Sequence, residues 1–145
     1  TNLYGENDNF DLKTSHVIPG LIAKMHQAKL ENKSSVKLWG DGSPMREFMH
    51  VDDLAEAIIF SLNTKLSDTL YNVGSGQEVT IKELANTIAQ VTGYSGNVLW
   101  DIEKPNGTPR KLMDSTKFLN LGYKPQVDLF EGIKKTYEFY KTIEK

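Results

Sequence analysis

Short apolar segments with the two-residue period of β-strands alternate along this chain with longer segments that have the period of amphipathic helices. The predicted strands cover 36–39, 47–51, 70–73 and 97–100. The predicted helices cover 15–28, 52–62, 80–92, 115–122 and 128–140. No internal repeat is present, and strands that alternate with helices are typical of an α/β fold, which is the fold class we predict.

Capping signals predict where two of the helices begin. Thr80 and Glu83 form a capping box, and Asp128 followed three residues later by Glu131 starts the last helix. The first helix is predicted to be capped by Ser15. The Gly/Pro-rich turn at 40–44 separates two predicted strands, so we expect segments 36–39 and 47–51 to pair with each other.

Composition excludes several classes of function. The 145 residues fit one domain, and 17 Lys+Arg against 19 Asp+Glu give a net charge of −2, so the chain has no basic field for nucleic acid or an anionic membrane surface. No apolar run reaches the roughly 20 residues that a membrane helix needs, and no secretory leader is recognisable. The absence of cysteine excludes disulfides and thiolate catalysis within this chain and suits the cytoplasm.

Two motifs resemble nucleotide or catalytic sites but fit structural roles better. Gly74 and Gly76 follow a predicted strand, yet Val79 occupies the position where a dinucleotide turn needs its third glycine. Tyr137 and Lys141 have the spacing of a dehydrogenase Tyr–Lys pair, but they lie in an apolar helix near the chain end. We therefore predict a plain turn at 74–76 and a packing role for Tyr137.

His50, Asp52 and Asp53 have the residue types of a metal site. Such a site needs three or four converging ligands, and the sequence nominates no others. We therefore predict no metal site and interpret the aspartates as helix-capping residues. His26 lies on a polar helix surface and is expected to be solvated.

Three residues are candidates for ligand chemistry. His16 lies at a helix start, where side chains face clefts, and imidazole transfers protons near neutral pH, although a structural histidine is the alternative. Trp39 and Arg46 flank the 40–44 turn. An aromatic ring can stack on a base and a guanidinium can fork onto phosphate oxygens, whereas the alternative is a half-buried tryptophan beside a surface arginine.

Several segments together resemble the GDP-L-fucose synthase family of extended short-chain dehydrogenase/reductases, over essentially the whole chain. Asn-x-Tyr-Gly at 2–5, His-Val-Asp-Asp at 50–53 and Asn-Val-Gly at 72–74 are shared by the whole superfamily. Ser-His-Val-Ile-Pro at 15–19 and Lys-Pro-x-Gly-Thr-Pro-Arg-Lys at 104–111 are narrower and select the fucose enzyme.

The resemblance implies a two-domain, homodimeric enzyme in which an amino-terminal Rossmann domain binds NADP. Residues 1–10 would end the cofactor domain, and residues 11–145 would form the domain that binds the GDP-sugar. Because the chain opens on Thr1 without a methionine, the Rossmann half is expected upstream. The helix that begins at the 50–53 motif and the strand that contains the 72–74 motif would pack on that half. Without it, Ile58, Ile59 and Val73 are expected to form an exposed apolar patch.

The resemblance also assigns site residues and a reaction. The family epimerises GDP-4-keto-6-deoxy-mannose at C3 and C5 and then reduces C4 with NADPH, with His16 as the acid. Another nucleotide-sugar enzyme and a non-catalytic nucleotide-sugar-binding module remain alternatives. The implied positions are Thr1, Asn2, Leu3 and His16 for the cofactor, and Lys24, Trp39, Arg46 and Asn106 for the substrate.

Three of the matching positions depart from the family pattern. Lys24 stands for arginine, Asn106 for aspartate and Glu6 for proline. The first two changes put the base preference in doubt, because lysine lacks the guanidinium fork and asparagine cannot accept two donors from guanine. Glu6 is expected only to loosen its turn. The four substrate residues are expected to form one pocket that His16 overlooks.

Overall fold

The computed structural model describes residues 1–144, which form six strands and five helices. The strands are β1 Asn2–Tyr4, β2 Ser35–Trp39, β3 Met45–His50, β4 Glu78–Thr80, β5 Asn97–Asp101 and β6 Arg110–Lys111. The helices are α1 Val17–Leu30, α2 Val51–Asn63, α3 Ile81–Thr92, α4 Thr116–Leu119 and α5 Leu129–Ile143. The predicted α/β class is confirmed.

Two sheets carry the strands. In the larger one, β3 pairs in parallel with β1 and β6 and antiparallel with β4. The smaller sheet contains β2 and β5 in parallel. Helices α1, α3 and α5 pack around one apolar core, whose fully buried members include Ile22, Met25, Leu84, Ile88 and Ile133.

The capping signals placed α3 and α5 correctly. The Thr80 hydroxyl accepts a hydrogen bond from the Glu83 amide, the Glu83 carboxylate accepts from the Thr80 amide, and Gly93 ends α3 in the left-handed conformation. Asp128 caps α5 by accepting from the Glu131 amide. The prediction for α1 was wrong by one residue, because its N-cap is His16, which makes no side-chain capping bond.

The expected pairing of segments 36–39 and 47–51 was wrong. The turn at 40–44 does not close a hairpin, because β2 pairs with β5 instead of β3. The carbonyls of Gly42 and Pro44 in this turn accept hydrogen bonds from the first amides of α3. Gly42 adopts a φ of +79°, and a Cβ there would lie 2.7 Å from the Trp100 ring. The turn thus connects β2 of the smaller sheet to β3 of the larger sheet and contacts the start of α3.

Segment 70–73 is not a strand in this structure. Ile58 and Ile59 are exposed as expected, at 54% and 52%, and Leu62 on the same face of α2 is 80% exposed. Val73 differs from the expectation, because it is half-buried against a small second core formed by Met49, Ala57, Phe118 and Tyr123. Ile58, Ile59 and Leu62 therefore form the exposed apolar face of α2.

Because this face of α2 is apolar and exposed, we expect the chain to self-associate. Burying one such side chain contributes about 1.5–3 kcal/mol, and about 1.4 kcal/mol is a tenfold change in an equilibrium constant. The double variant Ile59→Lys/Leu62→Lys is expected to weaken association at least about tenfold, measured by sedimentation velocity. Leu30→Lys, at a position 64% exposed on α1, is the control and should sediment like the parent. An unchanged distribution in the double variant would contradict the prediction.

Asp53 has a structural role other than the predicted helix cap. Its buried carboxylate accepts hydrogen bonds from the amides of Gln126, at 2.8 Å, and Val127, at 3.1 Å. Its carbonyl oxygen accepts from the Tyr123 hydroxyl at 2.5 Å, and burial together with this acidic neighbour raises the pKa of Tyr123 to about 12. Asp53 thereby fixes the start of α2 to the segment that leads into α5.

Among the described residues, no helix has both the length and the apolar character that crossing a bilayer requires.

Candidate functional site

His16 lies at a cavity that also contains the predicted cofactor residues. The cavity has a volume of ≈ 460 Å³ and is lined by residues 1–4, residues 16–19 and Phe48. Parallel pairing of β1 with β3 sets Asn2 beside Phe48, and the Asn2 side-chain amide donates to the Glu47 carbonyl at 2.8 Å. The first turn of α1 forms the opposite wall. We call this space the His16 cavity.

The position of His16 follows from the local sequence. Pro19 is accommodated in the first turn of α1, where helices tolerate proline, so the helix starts directly after His16. The His16 backbone is extended, with φ −73° and ψ 174°, and its imidazole is exposed. An imidazole in this place is available to exchange protons with a molecule in the cavity.

The predicted loop at 104–109 is held by hydrogen bonds at three points. The Lys104 amide donates to the Asp101 carbonyl at 3.0 Å, and the Met45 amide donates to the Pro109 carbonyl at 2.9 Å. Between these two points, the Asp41 amide donates to Asn106 Oδ1 at 2.8 Å. The loop is therefore built into the fold next to Trp39.

Asn106 acts as the clamp of this loop. Gly40, with a φ of +76°, leaves room for it, because a Cβ there would collide with the Asn106 side chain. Hydrogen bonds from Ser43, and secondarily from Asn106, hold the pKa of the Asp41 carboxyl below its ordinary value. The Asn106 amide thus interacts with both the backbone and the side chain of Asp41.

Trp39 and Arg46 lie on the two sides of this clamped loop. The Trp39 ring is 71% exposed, and Lys104 Nζ lies 5.8 Å from its centroid. An Arg46 guanidinium nitrogen lies 3.8 Å from a Cβ built on Gly107, and another donates to the Met45 carbonyl at 2.7 Å. We call the surface formed by Trp39, Lys104, Gly107 and Arg46 the Trp39 face.

Two further cations lie beside Arg46. Lys111 is its direct neighbour in the β3–β6 pairing. Arg110 is committed elsewhere, since its guanidinium makes a bidentate ion pair with Glu78, with Nε 2.9 Å from each carboxylate oxygen. Arg46 and Lys111 therefore supply the positive charge at the edge of the Trp39 face.

Lys24 reaches the smaller sheet from α1. Its ammonium donates to the Lys37 carbonyl at 2.8 Å, two residues before Trp39 in β2. Partial burial lowers the pKa of Lys24 from its ordinary value. The side chain is thereby held against the backbone of the strand that carries Trp39.

The four predicted substrate residues lie outside the His16 cavity, since none of Lys24, Trp39, Arg46 and Asn106 lines it. The two surfaces are connected through β3, where Arg46 and Phe48 point to the same face about 7 Å apart along the strand. The candidate site is thus an elongated pair of neighbouring surfaces, with the cations at one end and the imidazole at the other.

Tyr137 and residues 74–76, the two motifs that resemble catalytic or nucleotide sites, both occupy structural positions. The Tyr137 hydroxyl is buried and lies 3.0 Å from His26 Nδ1, and burial raises the pKa of Tyr137, whereas a catalytic tyrosine needs a lowered one. His26 is consequently not solvated as expected, since its ring packs from α1 against Tyr137 and Tyr140 of α5. Residues 74–76 lead into β4 without forming a helix amino terminus.

The sequence reasoning missed Lys104 and Glu47. Lys104 is brought to Trp39 only by the closure of the loop. Glu47 is 1% exposed and accepts a hydrogen bond from the Gly76 amide at 2.7 Å, so it holds the 74–76 turn from within. Neither contact has a local spacing signal, because the partners are far apart in sequence.

A family model described as the NAD dependent epimerase/dehydratase family matches residues 1–74, which is 74 of the 145 residues and includes β1 to β3 with the His16 cavity. The chain belongs to this family. The matched segment contains Trp39, Arg46 and the 50–53 motif, so the family assignment rests on the part of the chain that forms most of the candidate site.

Relatives within the NAD dependent epimerase/dehydratase family extend the likeness to nearly the whole chain. "Putative GDP-L-fucose synthase 2" of Arabidopsis thaliana is 53% identical over 140 residues, covering 97% of this chain and 43% of the relative. "GDP-L-fucose synthase" of Escherichia coli is 46% identical, with 97% and 46% covered. The solved GDP-L-fucose synthetase from Naegleria fowleri is 30% identical at a TM-score of 0.89, with 99% and 44% covered. This chain spans less than half the length of each.

Proposed function

We propose that this chain is the GDP-sugar-binding part of an NADP-dependent GDP-L-fucose synthase. The supporting observation is its identity of 53% and 46% to proteins of that name over 97% of its residues. The complete reaction would epimerise GDP-4-keto-6-deoxy-D-mannose at C3 and C5 and reduce C4 to give GDP-L-fucose. We infer that residues 11–145 form the substrate domain and that residues 1–10 end the cofactor domain.

The Trp39 face suits the nucleotide end of such a substrate. A flat, exposed indole offers a stacking surface for a base, and Arg46 with Lys111 offers positive charge for the diphosphate. Lys104 lies over the Trp39 ring, and Lys24 adds a further cation beside β2. Asn106 would contribute by holding the loop in place, because its side-chain oxygen accepts a hydrogen bond from the Asp41 amide.

The His16 cavity suits the reacting end. Leu3, Val17, Pro19 and Phe48 give it apolar walls that fit a flat ring, as nicotinamide has, next to Thr1 and Asn2. NADPH would supply the hydride for C4. A C4 ketone acidifies the neighbouring C–H bonds, so an exposed imidazole at this cavity can return a proton to the opposite face of C3 or C5.

Calorimetric titration with GDP, GDP-mannose and UDP tests this assignment, on the chain alone and on a full-length protein that contains it. We expect GDP and GDP-mannose to bind and UDP to bind at least about tenfold more weakly, a difference of about 1.4 kcal/mol. Equal binding of UDP and GDP by the full-length protein would instead favour a different nucleotide-sugar enzyme of this family.

Arg46→Ala is expected to weaken GDP-mannose binding to the full-length protein by about 1.5–3 kcal/mol, the usual contribution of a charged hydrogen bond. The matched control is Arg110→Ala on the adjacent strand, because Arg110 is paired with Glu78. It should change affinity by less than about 1 kcal/mol, as exposed ion pairs do. Equal affinities of the Arg46 variant and the parent would remove Arg46 from the phosphate role.

A further inference from the structure

Asp41 places a carboxylate close to the exposed Trp39 ring. Gly40 alone separates the two residues, so their Cα atoms lie at most about 7 Å apart. The Gly40 amide donates to the Asp101 carbonyl at 2.9 Å, so the chain stays attached to β5 up to this point. Trp39 and Asp41 are both exposed. A flat ring and a carboxylate are therefore both accessible to a ligand at the end of β2.

The position of the Asp41 carboxylate is fixed by two hydrogen bonds. Its Oδ1 accepts from the Ser43 amide at 2.8 Å, and the Asp41 amide donates to Asn106 Oδ1 at 2.8 Å. Gly42, with a φ of +79°, completes the turn between Asp41 and Ser43. Because both the backbone and the side chain are held in place before a ligand arrives, a ligand that binds here pays less for ordering them.

Asp41 retains a negative charge that it can offer to a ligand. Asp101, which pairs with Trp39 across the smaller sheet, is instead neutralised by Lys37 at 2.8 Å. Within residues 1–144, Asp41 belongs to no ion pair. Hydrogen bonds from Ser43 hold the pKa of the Asp41 carboxyl below its ordinary value. A carboxylate has about four acceptor positions, so these contacts leave capacity for a donor on a ligand.

Guanine is the nucleobase whose edge suits such a carboxylate. Its N1–H and its 2-amino group are adjacent donors, whereas hypoxanthine lacks the amino group. Uracil has one N–H between two carbonyl oxygens, which would meet the Asp41 carboxylate acceptor against acceptor, and unpaired or repelling groups of this kind are what reject a wrong ligand. Asn106 is not available as the acceptor, because its side-chain oxygen is already bonded to the Asp41 amide.

We propose that Asp41 selects the base at the Trp39 face by accepting hydrogen bonds from the 2-amino edge of a guanine stacked on the indole, and that Asn106 is its positioning residue. This inference rests on the proposed function, since it assigns the base specificity of the same site. Asn106 stands where the family pattern has aspartate, and Asp41 in the neighbouring turn supplies the carboxylate that this position lacks.

Calorimetric titration with GDP, inosine diphosphate and UDP tests the proposal, on a full-length protein that contains this chain. Inosine diphosphate differs from GDP only by the missing 2-amino group. The parent is expected to bind GDP about tenfold or more tightly than inosine diphosphate, as loss of a charged hydrogen bond predicts. Asp41→Asn can keep the bond from Ser43, yet it directs an NH₂ group at the guanine donors. Its preference for GDP over inosine diphosphate should fall below about threefold.

Glu103→Gln is the matched control, because Glu103 is an exposed carboxylate in the turn after β5. It should keep the preference of the parent, and circular dichroism checks that both variants are folded. The inference is overturned, while the proposed function stands, if the parent binds GDP more tightly than UDP but as tightly as inosine diphosphate, a comparison that needs no variant. It is also overturned if Asp41→Asn keeps the preference or if Glu103→Gln loses it equally. A parent that does not bind GDP would overturn the proposed function as well.

Discussion

In a full-length enzyme that contains this chain, His16→Asn is expected to slow exchange of the sugar C3 and C5 hydrogens by ~10²–10⁴-fold, the usual contribution of a general acid or base. The affinity for GDP-sugar should stay close to that of the parent, because the cations at the Trp39 face lie outside the His16 cavity. Solvent-deuterium uptake into the sugar, followed by NMR, measures the exchange directly and separately from reduction.

The fold should not suffer from this substitution. His16 caps α1 without a side-chain hydrogen bond, and asparagine is among the best N-cap residues, so the helix loses nothing. His26→Gln on the same helix is the control, since His26 contacts Tyr137 and does not line the cavity. It should retain normal exchange. Normal deuterium uptake in His16→Asn would exclude this residue from the epimerisation step.

Features that depend on neighbours in sequence could be predicted. The boundaries of α3 and α5 followed from Thr80, Glu83 and Asp128, because a capping bond spans only three residues. Helical spacing also gave the apolar stripe of α2, whereas the expected exposure of Ile58 and Ile59 came from the family resemblance. These interactions leave a fixed spacing in the sequence.

Features that depend on distant partners could not be predicted in the same way. The pairing of β2 with β5 joins Trp39 to Asp101, and no spacing rule links segments so far apart. The 40–44 turn resembled a hairpin because its glycines and proline signal a turn without stating which strand comes next to which. Trp39 and Arg46 each lie next to the clamped loop, at Lys104 and at Gly107 respectively, and no local spacing predicts this.

The resemblance to a known family supplied what local patterns could not. It nominated His16 together with residues 1–3, and the structure brings these residues to one cavity. It also led to the expectation of a single substrate pocket that His16 overlooks, which stays a prediction, and the four substrate residues do not line the His16 cavity itself. A family motif conveys which residues matter, whereas the distances between them depend on packing that the motif does not encode.

The Asp52–Asp53 pair shows how different two adjacent aspartates can be. Asp53 is 2% exposed, and its carboxylate oxygens accept from two amides in the segment before α5. The Asp52 carboxylate is 61% exposed and faces His50 and Lys135. Sequence position alone gives both residues the same role, at the first turn of α2. Their energetic contributions should nevertheless differ by several-fold, because only Asp53 satisfies buried backbone donors.

Asp53→Asn is therefore expected to lower the free energy of unfolding by about 2–4 kcal/mol, since one amide donor then meets an NH₂ group and loses its acceptor. That is a large fraction of the roughly 5–15 kcal/mol that stabilises a domain. Urea denaturation of the chain measures the change as a lower midpoint at an unchanged slope. Asp52→Asn is the matched control and should cost less than about 1 kcal/mol, as exposed ion pairs do. Equal losses in the two variants would show that the contacts of Asp53 with residues 126 and 127 do not stabilise the fold.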